Sequence, residues 1–416
     1  MESKEIYLNR IKINNVRNIT GFEIPLSKSE RKHLIFTGRN GSGKTTVLLE
    51  IKKYLDIVSV GKYQTYAQLE EALSSATKEL NALQNSVTEN EQRLGDAYRR
   101  VESIKNGLEH YGGVKLDFSG EHRVANEVKL GKFLIAFFDA KRMTNLNIPN
   151  GIHKVNLKTS YSSSEKSNTA FIQYIVNMKA ERSFARDEGE DDEAKKIDLW
   201  FNSFEEKLKA IFEDNSLKLI FDRKNYNFKI KTEGRELFGL TELSDGHSAI
   251  LSIITELILR MESLDSGNYN LPGIVLIDEI ETHLHVDLHK MILPFLSSFF
   301  PNIQFIVTTH SPFVLQSISN SVVCDLQNNI IVEDLSGYSY DALIESYFGS
   351  DKYSNSIKNK IERYEVLSSK NKINDEEREE YLFLKQYLKN IPKYYAPEFE
   401  VKLQEIELKK LSKGLD

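Results

Sequence analysis

Cysteine is nearly absent: Cys324 is the only one in 416 residues, which excludes a disulfide framework and any CxxC metal site. Proline (8) and glycine (21) are also scarce. They are too few for a linker-rich chain, so a further domain is expected as an insertion rather than strung on. No apolar stretch approaches the ~18 residues that a membrane span needs. The N-terminus, Met1-Glu2-Ser3-Lys4-Glu5, carries charge where a signal peptide has its hydrophobic core. Neither sign of charge dominates: 55 Lys and Arg against 61 Asp and Glu leave a net charge of −6. That argues against a coat of positive charge but allows a local basic patch. With 40% hydrophobic and 28% charged residues, the composition is that of a soluble, cytoplasmic protein with a sizeable core. The length suggests two or three domains.

The first forty residues alternate as strands do and end in the buried run His33-Leu34-Ile35-Phe36-Thr37. Directly after it, Gly38-Arg39-Asn40-Gly41-Ser42-Gly43-Lys44-Thr45 matches the pattern G-x-x-x-x-G-K-[ST], followed by a helix through Val47, Leu48, Ile51 and Leu55. Glycines let backbone N–H groups wrap phosphates, and the helix N-terminus adds a positive field. Lys44 is placed to reach the β and γ phosphates, and the Thr45 hydroxyl to ligate Mg²⁺.

A second half of such a site is due downstream. Ile274-Val275-Leu276-Ile277 ends in Asp278 and Glu279, as a Walker B strand does. Asp278 would hold Mg²⁺ and Glu279 would act as general base on the attacking water. Strand Gly273–Ile277, helix Leu284–Ser297 and strand Ile303–Thr308 repeat a βαβ rhythm. His310 follows the last of these strands, within reach of a γ phosphate. Leu243-Ser244-Asp245-Gly246-His247-Ser248 precedes a helix; Ser244 and Gly246 could bind a phosphate there, but lie too far along the chain to serve the same one by local geometry.

Residues 66 to 111 differ. Tyr66, Leu69, Leu73, Ala76, Leu80, Leu83, Val87, Leu94, Ala97, Val101, Ile104, Leu108 and Tyr111 fall at alternating steps of three and four, with Asn90 the single polar member. One unbroken helix here would be ~69 Å long, and residues 112–132 could barely return from it. A helical hairpin turning near Asn85–Gln92 is therefore expected. Lys154–Thr169 reads as a Ser- and Lys-rich mobile loop and the acidic run Asp187–Glu193 as a solvated loop. Helix is expected near 195–213, and three amphipathic pieces at Ser356–Ser368, Asp375–Lys389 and Pro397–Leu411.

These motifs in this order resemble the ABC-type ATPases of the RecF, SMC and OLD-like branch. The family signature LSGGQ reads here Leu243-Ser244-Asp245-Gly246-His247, and its Asp resembles the variant of OLD-like and defence-associated members. The resemblance implies an α/β P-loop ABC-type ATPase head with an inserted helical coiled-coil hairpin and a C-terminal helical region. The head would comprise residues 1–63 and 113–335, the hairpin 64–112 and the last region 336–416. It further implies ATP held by Gly38, Arg39, Asn40, Gly41, Ser42, Gly43, Lys44, Thr45 and Thr46, with Ser244, Asp245 and Gly246 supplied by a second copy docked head to tail. Mg²⁺ would rest on Thr45 and Asp278, and Glu279 and the switch residue His310 would be catalytic. Two departures stand out. His285 occupies the D-loop position, and no Q-loop glutamine follows Phe133–Phe138, leaving Asp139 or Arg142 as a replacement.

OLD proteins carry a C-terminal Toprim nuclease, whereas the residues after Asp334 are charged and helical. The chain resembles more the stand-alone coiled-coil ATPases of bacterial anti-phage systems such as PARIS or Septu, in which a separate protein, often a nuclease, is the effector. A sensor or scaffold ATPase controlling such an effector is the leading expectation. A RecF- or SMC-like ATPase that binds DNA in repair or maintenance is the alternative, with Arg99, Arg100, Lys105, Lys141, Arg142, Arg182 and Arg186 as candidate contacts.

Overall fold

A computed structural model describes residues 5–59, 63–85, 91–109, 111–120, 124–142 and 145–339 (apart from 159, 160, 162 and 164). It also describes residues 343, 355–370, 374–390, 404–406 and 408. The chain forms two compact units, Met1–Tyr338 and Ser339–Asp416. The first is α/β and built on three sheets.

The central sheet has six strands in the order β12 (Ile330–Glu333), β11 (Ser321–Asp325), β3 (His33–Thr37), β10 (Ile303–Thr308), β9 (Gly273–Ile277) and β5 (Leu134–Phe138). All neighbours pair parallel except the edge pair β11–β12. β3, β9, β10 and β11 are buried at every position. That is why they read as mostly apolar runs rather than alternating ones. The order places β10 between β3 and β9, so the C-terminal ends of all three strands share one edge, where α/β sheets bind ligands.

A second sheet, β2 (Ile19–Pro25), β1 (Leu8–Val16) and β4 (Val114–Phe118), is antiparallel. It shares one hydrophobic core with helix α1 (Lys44–Ser59) and the central sheet. Gln304, fully buried on β10, joins the sheets. Its side chain accepts from the Leu8 N–H at 2.7 Å and donates to the Leu8 and Lys32 carbonyls.

Helices α2 (Tyr63–Gln84) and α3 (Glu91–Glu109) run antiparallel, with Glu79 beside Arg100 and Gln84 beside Tyr98. They pack through Ala76, Leu80, Ala97 and Val101. The expected turn and Asn90 fall mostly outside the described residues. After α4 (Val124–Lys129) and β5 come α5 (Phe171–Glu188) and α6 (Asp191–Phe212), packed on the third sheet, β6 (Lys218–Asp222), β7 (Asn227–Lys231) and β8 (Phe238–Gly239). The acidic run expected as a loop is instead two helix ends. α5 closes on Gly189 at φ 79°, and Asp191, Asp192 and Glu193 form the first turn of α6. Carboxylates favour that turn because they face the positive end of the helix dipole.

Helix α7 (Asp245–Leu264) is buried almost throughout. On it Glu256 and Arg260 form a buried ion pair at 2.7 Å. The second Glu256 oxygen accepts from the Ser167 and Asn168 N–H groups, which anchors the end of the Ser- and Lys-rich segment. Helices α8 (Val286–Phe299) and α9 (Pro312–Leu315) complete this unit. The second unit holds α10 (Asn355–Ser369) and α11 (Asp375–Lys389), joined by Tyr364, Leu367, Tyr381, Leu384, Leu388 and Ile406. The expected third helix lies largely outside the described residues. Among the described residues no helix is long and apolar enough to cross a membrane.

His33 lies where β3, β10 and α8 meet. Its Nδ1 accepts from the Phe305 N–H at 3.1 Å, which leaves Nε2 to donate to Ser297 Oγ. Burial, together with the Arg31 charge, lowers its pKa from 6.5 to about 4. The unfolded chain therefore binds this proton more readily, so the contribution of neutral His33 is complete above pH 6.5 and is lost as pH falls towards 4. The shift corresponds to about 3 kcal/mol. Thermal melts across that window should show a smaller loss of midpoint in His33→Asn than in the parent chain; parallel curves would remove His33 from the acid transition.

Candidate functional site

The chain leaves β3 at Thr37 and enters α1 at Lys44 through a turn that demands glycine. Gly38 sits at φ +130°, and a Cβ there would stand 2.8 Å from Ser42 Oγ and 3.2 Å from Asp325 Oδ1. Lys44 folds back across the loop, donating from Nζ to the Gly38 and Arg39 carbonyls at 2.8 and 3.1 Å. Burial pulls its pKa below the usual lysine value, against the opposing fields of Glu279, Glu281, Asp278 and Asp325. Ser42 Oγ is buried without a hydrogen-bond partner, and α1 has no acidic residue in its first turn. An orphan hydroxyl, a converging ammonium and a helix N-terminus open to anions fit a bound polyphosphate. Arg39, Asn40, Gly41 and Thr45 are exposed, and Thr46 is half-buried.

Opposite this loop, Asp278 ends β9. Its Oδ1 accepts from Thr45 Oγ1 at 3.1 Å and from Thr308 Oγ1 at 2.6 Å. Thr45 and Asp278, 233 residues apart, thus meet across the end of β10. The hydroxyl–carboxylate pair fits Mg²⁺, which uses few protein oxygens and completes its shell with water and substrate phosphate. Among the described residues no cluster of three His, Cys, Asp or Glu competes for the ion.

The residues after Asp278 are strained and held. Glu279 adopts φ 45° and His283 φ 69°, a left-handed conformation that is costly for side chains with a Cβ. Three groups fix this bend. The Glu279 N–H donates to Thr308 Oγ1 at 2.7 Å, and the Ile280 N–H donates to the Thr308 carbonyl. Arg142, 2% exposed, reaches the carbonyls of Asp278 (2.6 Å), Glu279 (2.8 Å) and Ile280 (3.2 Å). Burial lowers the Arg142 pKa to about 10, which leaves it a cation, and four carboxylates support that charge. The Glu279 carboxylate accepts from Thr282 Oγ1 at 3.0 Å.

His310 stands at the same edge. Its N–H donates to Glu281 Oε1 at 2.6 Å, while Glu281 Oε2 is buried with no partner. Burial and then the Lys44 charge lower its pKa below the ordinary imidazole value, so the ring is neutral at pH 7. Lys44, Asp278, Glu279 and His310 therefore lie within one another's electrostatic reach. Sequence reasoning missed Thr308 and Glu281. A polar residue closing an otherwise apolar strand beside the Walker B strand was the available signal for Thr308.

Ser244, Asp245 and Gly246 stand at the N-terminus of α7. Ser244 caps α7 with extended backbone (ψ 155°), and its Oγ bonds His247 Nδ1 at 2.8 Å. The His247 ring stacks on Phe212 with centroids 4.3 Å apart. A Cβ on Gly246 would come within 3.1 Å of the His283 carbonyl, so this turn packs tightly on the loop after Glu279. Within one chain, no described hydrogen bond connects residues 244–246 to the phosphate loop. His285, at the D-loop position, is exposed and pairs with Asp287 at 3.1 Å.

Residues 34–316 match the family described as AAA domain, putative AbiEii toxin, Type IV TA system. The chain belongs to this family. It is an ABC-type ATPase. The Septu protein PtuA of Bacillus mycoides (strain KBAB4) is 25% identical over 391 residues, covering 91% of this chain and 50% of that protein. The ATPase thus spans half the length of that relative. The Retron Vc95 probable ATPase of Vibrio cholerae serotype O1 biovar El Tor is 26% identical over 402 residues, covering 78% of this chain and 76% of its own. Among solved structures, an Smc head bound to the C-winged helix domain of ScpA aligns with a TM-score of 0.35 and 12% identity, over 78% of this chain and 96% of that one.

Of the candidate DNA contacts, the Arg142 guanidinium is buried among carbonyls, whereas Arg99, Arg100 and Arg186 are exposed in surface ion pairs with Asp96, Glu79 and Asp198.

Thr308→Val keeps the shape of the side chain but removes one donor to Asp278 and one acceptor for the Glu279 N–H. A loss of about 1–3 kcal/mol is expected. It would be read as a lowered thermal midpoint, and an unchanged midpoint would detach Thr308 from this network.

Proposed function

We propose that this ABC-type ATPase is a nucleotide-driven switch. It binds and hydrolyses ATP between two copies of itself and thereby controls a separate effector protein, a nuclease, in anti-phage defence. The observation that carries the reading is the meeting of Thr45, Asp278 and Thr308 beside Glu279 and His310, with the Lys44 ammonium turned into the phosphate loop.

In this reading Lys44 and the N–H groups of Gly38–Thr46 hold the triphosphate, and Lys44 releases its two carbonyls as phosphate oxygens replace them. Thr45 and Asp278 hold Mg²⁺, which when bound neutralises charge on the β and γ phosphates. Glu279 accepts a proton from the attacking water. Arg142 and Thr308 keep its backbone bent towards the substrate, so no reorganisation is needed at the moment of reaction. Neutral His310 donates a ring N–H to a γ-phosphate oxygen. Ser244, Asp245 and Gly246 serve the partner copy's nucleotide; within one chain no described hydrogen bond ties them to the phosphate loop, in keeping with this assignment. ATP then gains its contacts with residues 244–246 only in the closed pair, and this difference in affinity makes it a switch between open and closed states. The effector role is supported by the resemblance to stand-alone defence ATPases and by relatives named as a Septu protein and as retron ATPases.

Glu279→Gln should retain ATP binding and hydrolyse it at least ~10²-fold more slowly, and Lys44→Ala should lose binding. Turnover of Glu279→Gln equal to the parent rate would remove Glu279 as the base. The shared site has its own test. Lys44→Ala and Ser244→Arg chains should each be inactive alone. Mixed in equal amounts, they should recover about a quarter of parental turnover, because random pairing gives half heterodimers with one intact site each. No recovery on mixing would refute the head-to-tail arrangement.

A further inference from the structure

The nucleotide site makes no use of the acidic run Asp187–Glu193. The same residues help to form a cleft of about 750 Å³ between α5, α6 and the loop after α7. Its lining includes Tyr174, Trp200 and Tyr269, with Phe184 half exposed. Glu262, two residues before the end of α7, also lines it. Its carboxylate accepts from the hydroxyls of Tyr174 and Tyr269 at 3.1 Å, from Ser266 Oγ at 2.6 Å and from the Gly267 N–H at 3.0 Å. The carboxylate is thus held in place by neutral donors.

Five glutamates line the cleft against two lysines. Lys196 pairs with Glu193 at 3.0 Å, and among the described residues no ion pair reaches Glu181, Glu188, Glu190 or Glu262. Glu188 is also the last residue of α5, where the negative end of the helix dipole opposes a carboxylate. Glu190 caps α6 without a side-chain hydrogen bond to it, so helix capping does not account for this carboxylate. The cleft therefore combines aromatic surface with an excess of carboxylates over lysines.

This combination narrows the ligand. A bare divalent ion does not fit, because among the described residues no three His, Cys, Asp or Glu converge. Nucleic acid has the wrong sign of charge. A guanidinium meets both features, since it lies favourably on aromatic faces and pairs bidentately with carboxylates. We propose that the cleft between α5 and α6 is a docking site for a basic, arginine-bearing segment of a partner polypeptide. The proposal is independent of the nucleotide reading, because no residue of the phosphate loop or of the β9 and β10 ends lines the cleft.

Trp200 is the only tryptophan in the chain, so its fluorescence reports on the cleft directly. Titrating the full chain with an octa-arginine peptide should change this emission saturably, and more tightly than octa-lysine. The double variant Glu188→Gln/Glu190→Gln should weaken the apparent affinity at least ~10-fold. Lys44→Ala should leave it unchanged, as should Glu376→Gln/Glu379→Gln, which removes the same charge from the second unit. Equal weakening by both double variants would indicate general attraction of a polycation to an acidic protein, and would overturn the proposal. So would an absent response, or an emission change produced simply by raising the protein concentration, which would assign the cleft to a second copy.

Discussion

The Thr308 hydroxyl closes the contact on which the whole site depends. It donates to Asp278 and accepts from the Glu279 N–H, so one oxygen sets both the carboxylate that faces Thr45 and the bend that aims Glu279. Its height is fixed by the parallel ladders on either side, with Thr308 opposite Phe36 and Val307 opposite Ile277. A slip of one residue in β10 would turn Thr308 into the sheet face and separate the two halves of the site. Gln304 and His33 guard against this at the other end of the strand, where they tie β10 to Leu8, Lys32 and α8.

The energetics of the edge are balanced rather than relaxed. Glu279 and His283 hold left-handed backbone, and Arg142 is buried with its charge directed at carbonyls. Such features persist only where neighbouring bonds over-determine them. Here three consecutive carbonyls, a strand-end hydroxyl and a strand-end carbonyl do so. The strain and its restraints thus converge on the few residues that chemistry would use, while the surrounding strands remain apolar.

Much of this was legible in the sequence, for definite reasons. β9 and β10 are legible with their observed ends because each is a largely apolar run closed by polar residues, with Gln304 the one interior polar position. The phosphate loop was legible because its glycines are backbone requirements. Strand order was not legible: nothing local says that β10 lies between β3 and β9, so the Thr308 bridge stayed hidden. Arg142 read as a Q-loop substitute or a surface cation because only tertiary packing buries it. Glu256 and Arg260 stand four residues apart, as exposed helix pairs do, yet both are enclosed. The acidic run reads as a loop because only Gly189 and Glu190 separate two helices whose ends are both charged.

Helix α7 has a mechanical consequence. It starts at the Ser244 turn, is enclosed from Ser248 through Met261, and reaches Glu262 in the aromatic cleft. A close-packed rod of ~27 Å has little room to bend. The Glu256–Arg260 pair moors its far half to β5 and the Ser167 segment. Ser244 at one end and Glu262 at the other are therefore held at a fixed spacing by a single rigid element.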